Sequence, residues 1–116
     1  MNEDFVSFDL AKKLKEKGYT LDTAHHYDDN GGIVVSLVEF DDRCVYPCPE
    51  IHQVLKWLRE EKKIYIELVI AADAEYMCDI YNIDARPIKC LGSTEYSKTY
   101  EAAALAGIEY CLDNLI

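Results

Sequence analysis

The chain predicts an α+β fold in two layers, with helices packed on a mostly antiparallel four-stranded sheet in the order α-β-β-α-β-β-α. Three observations carry that expectation. The stretch from Pro49 to Ala71 reads as an amphipathic helix that passes almost without a break into the strand Ile64-Tyr65-Ile66-Glu67-Leu68-Val69-Ile70. Asp28-Asp29-Asn30-Gly31-Gly32 is a strong turn signal between two strand-like segments, since Asn and Gly tolerate positive φ. The chain then closes on an apolar helical run. At 116 residues with half of them hydrophobic, residues 1–116 are expected to form one domain able to bury a core without metal or disulfide staples.

Taken in order, Ser7 to Lys17 reads as the first helix. Ser7 is a good N-cap, Asp9 places negative charge in the first turn, and the lysines crowd the last turn, all favourable to the helix. Leu10, Ala11 and Leu14 make its apolar stripe, and Gly18 stands where a helix stops. Thr23 to Tyr27 is a short strand, and Ile33 to Phe40 a second one, rich in Val and Ile and apolar on both faces. Asp41-Asp42-Arg43 ends it.

Pro49 suits the first turn of the second helix. Ile51, Val54, Leu55 and Leu58 follow the spacing of a buried stripe, with Trp57 at its edge. Strand three runs from Ile64 to about Ala71, a turn falls around Asp73 to Glu75, and strand four runs from Tyr76 to Ile83 or beyond. Pro87 argues that the far end of strand four is an edge or already loop. Thr99 caps the last helix, whose buried side is read as Ala103, Leu105, Ile108, Leu112 and Leu115. Gly107 there costs about 1 kcal/mol relative to alanine and allows close packing.

A net charge of −10 repels a phosphate backbone unless the basic residues gather on one face. Lys12, Lys13, Lys15 and Lys17 gather on the first helix, and Lys56, Arg59, Lys62 and Lys63 on the second. Both groups are interleaved with or followed by acids such as Glu16, Glu60 and Glu61, which reads as a solvated face with local ion pairs. The acidic opening Met1-Asn2-Glu3-Asp4 has neither the positive charge nor the apolar run of a secretory signal, so a cytoplasmic setting is expected. Five cysteines at irregular spacing (Cys44, Cys48, Cys78, Cys90, Cys111) make a poor disulfide framework. They read mostly as small apolar side chains in a reducing compartment.

Three segments carry a resemblance. They are Asp4-Phe5-Val6-Ser7 running into Leu10-Ala11-Lys12-Lys13-Leu14, the unit from Gln53 to Ile66, and the ending from Tyr100 to Leu115. Together they resemble small uncharacterised proteins encoded by phages, prophages and mobile elements of anaerobic gut bacteria. The resemblance implies a mobile-element origin and a soluble intracellular setting. It implies no activity and transfers no catalytic residue.

Candidate sites follow from residue type. Cys44, Cys48 and His52, with His25 or His26, are donors of the kind zinc takes. Three residues separate the two cysteines, however, where a zinc knuckle usually has two. His25-His26 beside Asp28 could serve as a general base, although adjacent strand residues point to opposite faces. Asp28, Asp29, Asp41 and Asp42 could attract a divalent cation but lack the spacing of a calcium loop. The reading therefore assigns no catalytic residue, no metal ligand and no cofactor. Nine tyrosines, among them Tyr65, Tyr76, Tyr81, Tyr96, Tyr100 and Tyr110, suit either a core or an interface. The leading expectation is a non-enzymatic accessory protein acting through protein contacts. Its alternatives are a small-ligand sensor or minor enzyme with a pocket between sheet and helices, and nucleic-acid binding through the basic helix faces. Oligomeric state is not legible.

Overall fold

The computed structural model describes residues 4–19, 21, 23–35 and 41–116. The chain divides into two compact units, Met1–Glu50 and Ile51–Ile116. The α+β class holds: among the described residues there are three helices, but the strands form two three-stranded antiparallel sheets. The expected four-stranded sheet is thereby corrected, because each predicted hairpin recruits a third strand of its own.

In the first unit, α1 (Phe8–Glu16) is capped as expected. Ser7 Oγ accepts from the Leu10 N–H at 3.3 Å, and Gly18 takes φ +87° beyond the last turn. Leu10, Ala11 and Leu14 are buried. Strand β1 (His25–Tyr27) pairs with β2 (Ile33–Val35) across the predicted turn. Asp28 Oδ1 closes that turn by accepting from the N–H groups of Asn30 and Gly32. Val34 is buried while Ile33 and Val35 are exposed, so β2 alternates where the sequence reads apolar on both sides. The expected continuation to Phe40 lies outside the described residues.

The third strand here is β3 (Tyr46–Pro47), joined to the other edge of β1 to give the order β2-β1-β3. A two-residue strand containing proline gives no sequence signal. It is tolerated because β3 is an edge strand, where a missing N–H costs no ladder bond. Pro49 does not open the second helix. Its carbonyl accepts from the Val6 N–H at 3.1 Å and Glu50 bridges Phe5, which holds both residues in extended structure. The Phe8 ring lies 5.4 Å from Tyr27 and 5.6 Å from Tyr46, seating α1 on β1 and β3. The buried Tyr27 hydroxyl donates to the Val6 carbonyl at 2.6 Å.

The second unit runs α2 (Ile51–Glu61), β4 (Ile64–Ile70), β5 (Tyr76–Asn82), β6 (Lys89–Ser93) and α3 (Tyr100–Asn114). The handover from α2 to β4 is abrupt because Lys63 takes the left-handed conformation at φ +57°, the position a helix-ending residue commonly adopts. Trp57 is 3% exposed and Leu55 half-buried, so the tryptophan belongs to the buried stripe with Ile51, Val54 and Leu58 rather than to its edge. Leu105 in α3 and Leu115 at its C-cap are half-buried, and Ala104, Gly107 and Cys111 take their places beside Ala103, Ile108 and Leu112.

Strands β4 and β5 pair over their full lengths, with Ile66 opposite Ile80 and Leu68 opposite Cys78. Strand β6 adds to β5 with a register shift beside Ile80 and Tyr81. The pairing jumps from Gly92 to Cys90, leaving Leu91 as the bulged residue. Its glycine and its break in alternation hide β6 from a pattern reading. Gly92 leaves room for Tyr110, whose hydroxyl would lie 2.6 Å from a Cβ there and would have to move aside. Pro87 sits in the β5–β6 loop, as its place in the sequence suggests.

Helix α3 seats on β4 and β5 through Gly107. A Cβ at that position would lie 3.1 Å from Cys78 Sγ and 3.2 Å from Ile66 Cγ2, both on buried residues. Neither neighbour is the free end of a flexible side chain. Gly107→Ala is therefore expected to lose about 1–2 kcal/mol despite its better helix propensity, because overpacking outweighs the propensity gain. Chemical denaturation measures this, and a variant more stable than the parent would refute the close seat.

Candidate functional site

The helices α2 and α3 lie on one face of the second sheet, the face of Ile64, Ile66, Cys78 and Ile80, all of which are buried. The opposite face follows from strand alternation. Tyr65 stands across from Tyr81, Glu67 across from Asp79, and Val69 across from Met77, with Cys90 and Ser93 on β6 continuing the rows. Its exposed members include Tyr65 at 41% and Ile88, in the β5–β6 loop, at 58%.

A basin of about 280 Å³ opens on this face, lined by Tyr65, Glu67, Tyr81, Ile83 and Ile88. Register explains the grouping. Tyr65 and Glu67 are two apart on β4, Tyr81 and Ile83 two apart on and just beyond β5, and Tyr65 is the direct cross-strand partner of Tyr81. The Ile83 N–H donates to the Lys63 carbonyl at 3.0 Å, which fixes the basin's far corner. Partial burial pushes the Tyr81 phenol up, and the nearby Asp79, Glu67 and Cys90 push it the same way. The hydroxyl stays neutral and can donate or accept at neutral pH.

Glu67 and Asp79 face each other across the ladder, a like-charge pair that is unfavourable by itself. The Ser93 hydroxyl donates to Asp79 Oδ1 at 2.7 Å. Among the described residues no basic side chain pairs with either carboxylate. The basic residues near this face are engaged or turned away. Lys63, the closest in sequence to Glu67, donates to the Glu60 carbonyl, and Lys62 lies over Trp57. The Arg86 guanidinium donates to the carbonyls of Ile83 and Ala85, and Lys89 stands opposite Asn82, in the rows of the helix-bearing face.

The sites considered from sequence distribute differently. Cys48 is fully buried, Cys44 half-buried and His52 exposed on α2. Among the described residues no group of three or more His, Cys, Asp or Glu is placed to hold a metal ion. His25 packs its ring 4.7 Å from Phe5. The buried Nδ1 of its neighbour His26 has no hydrogen-bond partner among the described residues. Asp28 is used by its own turn, and Asp41 takes the Arg43 guanidinium at 2.7 Å. Several of the lysines that gather on the helices are also engaged locally. Lys12 lies over Phe8 and Lys62 over Trp57, while Lys15 donates to the Val45 carbonyl and Lys63 to that of Glu60.

No protein-family model, curated protein or solved structure matches the chain. Among the described residues no helix is long and apolar enough to cross a membrane.

The buried thiols are poor nucleophiles. Burial pushes Cys78 up to about 11 and Cys111 up to about 12 from an ordinary 9.0, and raises Cys48 as well. Cys78 Sγ donates to the Ala103 carbonyl at 3.0 Å, a bond the thiolate cannot make. A folded-state pKa above the unfolded value means that this stabilisation is complete below about pH 9 and is lost as pH rises through 11 to 12. The urea midpoint is expected to fall over that interval, and to fall less steeply in Cys111→Ala. Equal slopes would show that Cys111 does not contribute.

Proposed function

We propose that this chain is a non-enzymatic binding protein that engages a partner protein through the open face of its second sheet. The observation that supports the reading is the basin itself. Two tyrosines and two isoleucines line it on the face opposite the helices, with Tyr65 and Ile88 exposed and Tyr81 and Ile83 half-buried. Tyrosine offers a rigid apolar body with a polar tip, and such residues supply much of the binding energy at protein interfaces. The helix-bearing face is filled by α3, which argues against the alternative of a ligand pocket between sheet and helices. In the mobile-element setting that the sequence resemblance implies, a bacterial host factor is the natural partner.

Capture from a bacterial lysate tests the reading when the parent is compared with two variants. Tyr65→Ser/Ile88→Ser removes exposed apolar surface at the basin, and Leu21→Ser removes it in the first unit. A partner retained by the parent and by Leu21→Ser but lost by the double variant is expected. Equal retention by all three would refute the assignment of this face.

A further inference from the structure

We propose that the basin receives an arginine or lysine side chain of the partner protein, held between Tyr65 and Tyr81 and paired with Glu67. The inference rests on the reading of this face as a docking surface and adds the chemistry of its occupant. Two features of the face point to a cation. The first is the pair of tyrosine rings from directly opposed strand positions, since aromatic faces attract guanidinium and ammonium groups. The second is the uncompensated charge of Glu67 facing Asp79. A cross-strand carboxylate pair without a basic partner is an electrostatic cost in the free protein, and an incoming cation relieves it.

The aliphatic walls fit the same occupant. Ile83 and Ile88 offer apolar surface to the methylene stem of a long basic side chain, while Glu67 meets its charged head. Arginine suits the site better than lysine, because its planar fork stacks on aromatic rings and pairs with a carboxylate through two N–H groups. A second copy of the chain is a poor occupant. Its own matching face would bring Glu67 and Asp79 against their like, and the net charge of −10 opposes self-association generally.

The test is a chemical-shift titration of the full chain with a blocked peptide, acetyl-Val-Arg-Val-Arg-Val-amide, against the same peptide with citrulline for arginine. Citrulline keeps the shape and removes the charge. Shifts confined to Tyr65, Glu67, Tyr81, Ile83 and Ile88 are expected with the arginine peptide, with affinity about tenfold weaker for citrulline and for Glu67→Gln. Glu67 is exposed and faces Asp79, so Glu67→Gln should match or slightly exceed the parent's thermal midpoint, and a lost affinity cannot be put down to unfolding. Equal binding of the citrulline peptide at the same residues would overturn the cation assignment while leaving an apolar docking face in place. An arginine peptide that leaves these residues unshifted would overturn it as well. Shifts of the same residues with protein concentration alone would give the face to a second copy, and would also overturn it.

Discussion

The close seat of α3 on β4 and β5 is the constraint on which the second unit depends. Gly107 lets the helix come closer to Cys78 and Ile66 than a Cβ there would comfortably allow. With that gap closed, Ala103, Ala104, Ile108, Cys111 and Leu112 are all buried. Burying a large aliphatic side chain such as Ile108 contributes about 1.5–3 kcal/mol, so a seat loosened by a Cβ at Gly107 draws on well-packed neighbours. The same approach brings Tyr110 over Gly92 and ties the bulged β6 strand to the helix, its hydroxyl 3.4 Å from the Leu91 carbonyl. Two glycines, one on the helix and one on the edge strand, therefore set how helix and sheet meet.

That seat also decides what is left open. A three-stranded sheet has two faces, and both helices of the unit pack on one of them. Strand alternation then places Tyr65, Glu67, Asp79 and Tyr81 together on the other without further design. The chemistry of this face arises from register rather than from a local motif. Its residues come from two strands and a loop, and become neighbours only because Tyr65 pairs with Tyr81 and Glu67 with Asp79.

This origin explains what was legible in the sequence. The helices announce themselves through Ser7, Thr99 and their apolar periodicity, and Thr99 Oγ1 accepts from the Ala102 N–H as an N-cap should. The β4–β5 hairpin is equally plain. Strands β3 and β6 are not, because Tyr46-Pro47 and Lys89-Cys90-Leu91-Gly92-Ser93 carry proline, glycine and a bulge in place of alternation. Without them, the two hairpins read as one sheet. Trp57 is ambiguous for a related reason: the i, i+3, i+4 template accepts Leu55 as readily as Trp57, and only packing shows which is buried. The tyrosines were visible as a composition, but their meeting across a ladder needs the register, which sequence spacing does not supply.

Solvent paramagnetic relaxation along β5 tests the central claim most directly, because consecutive residues of that strand should experience opposite environments. A soluble gadolinium chelate is predicted to broaden the side-chain signals of Met77, Asp79 and Tyr81 while sparing those of Cys78 and Ile80. Uniform protection of all five would mean that the tyrosine face is covered, and broadening at Cys78 and Ile80 would mean that α3 does not seat on the sheet.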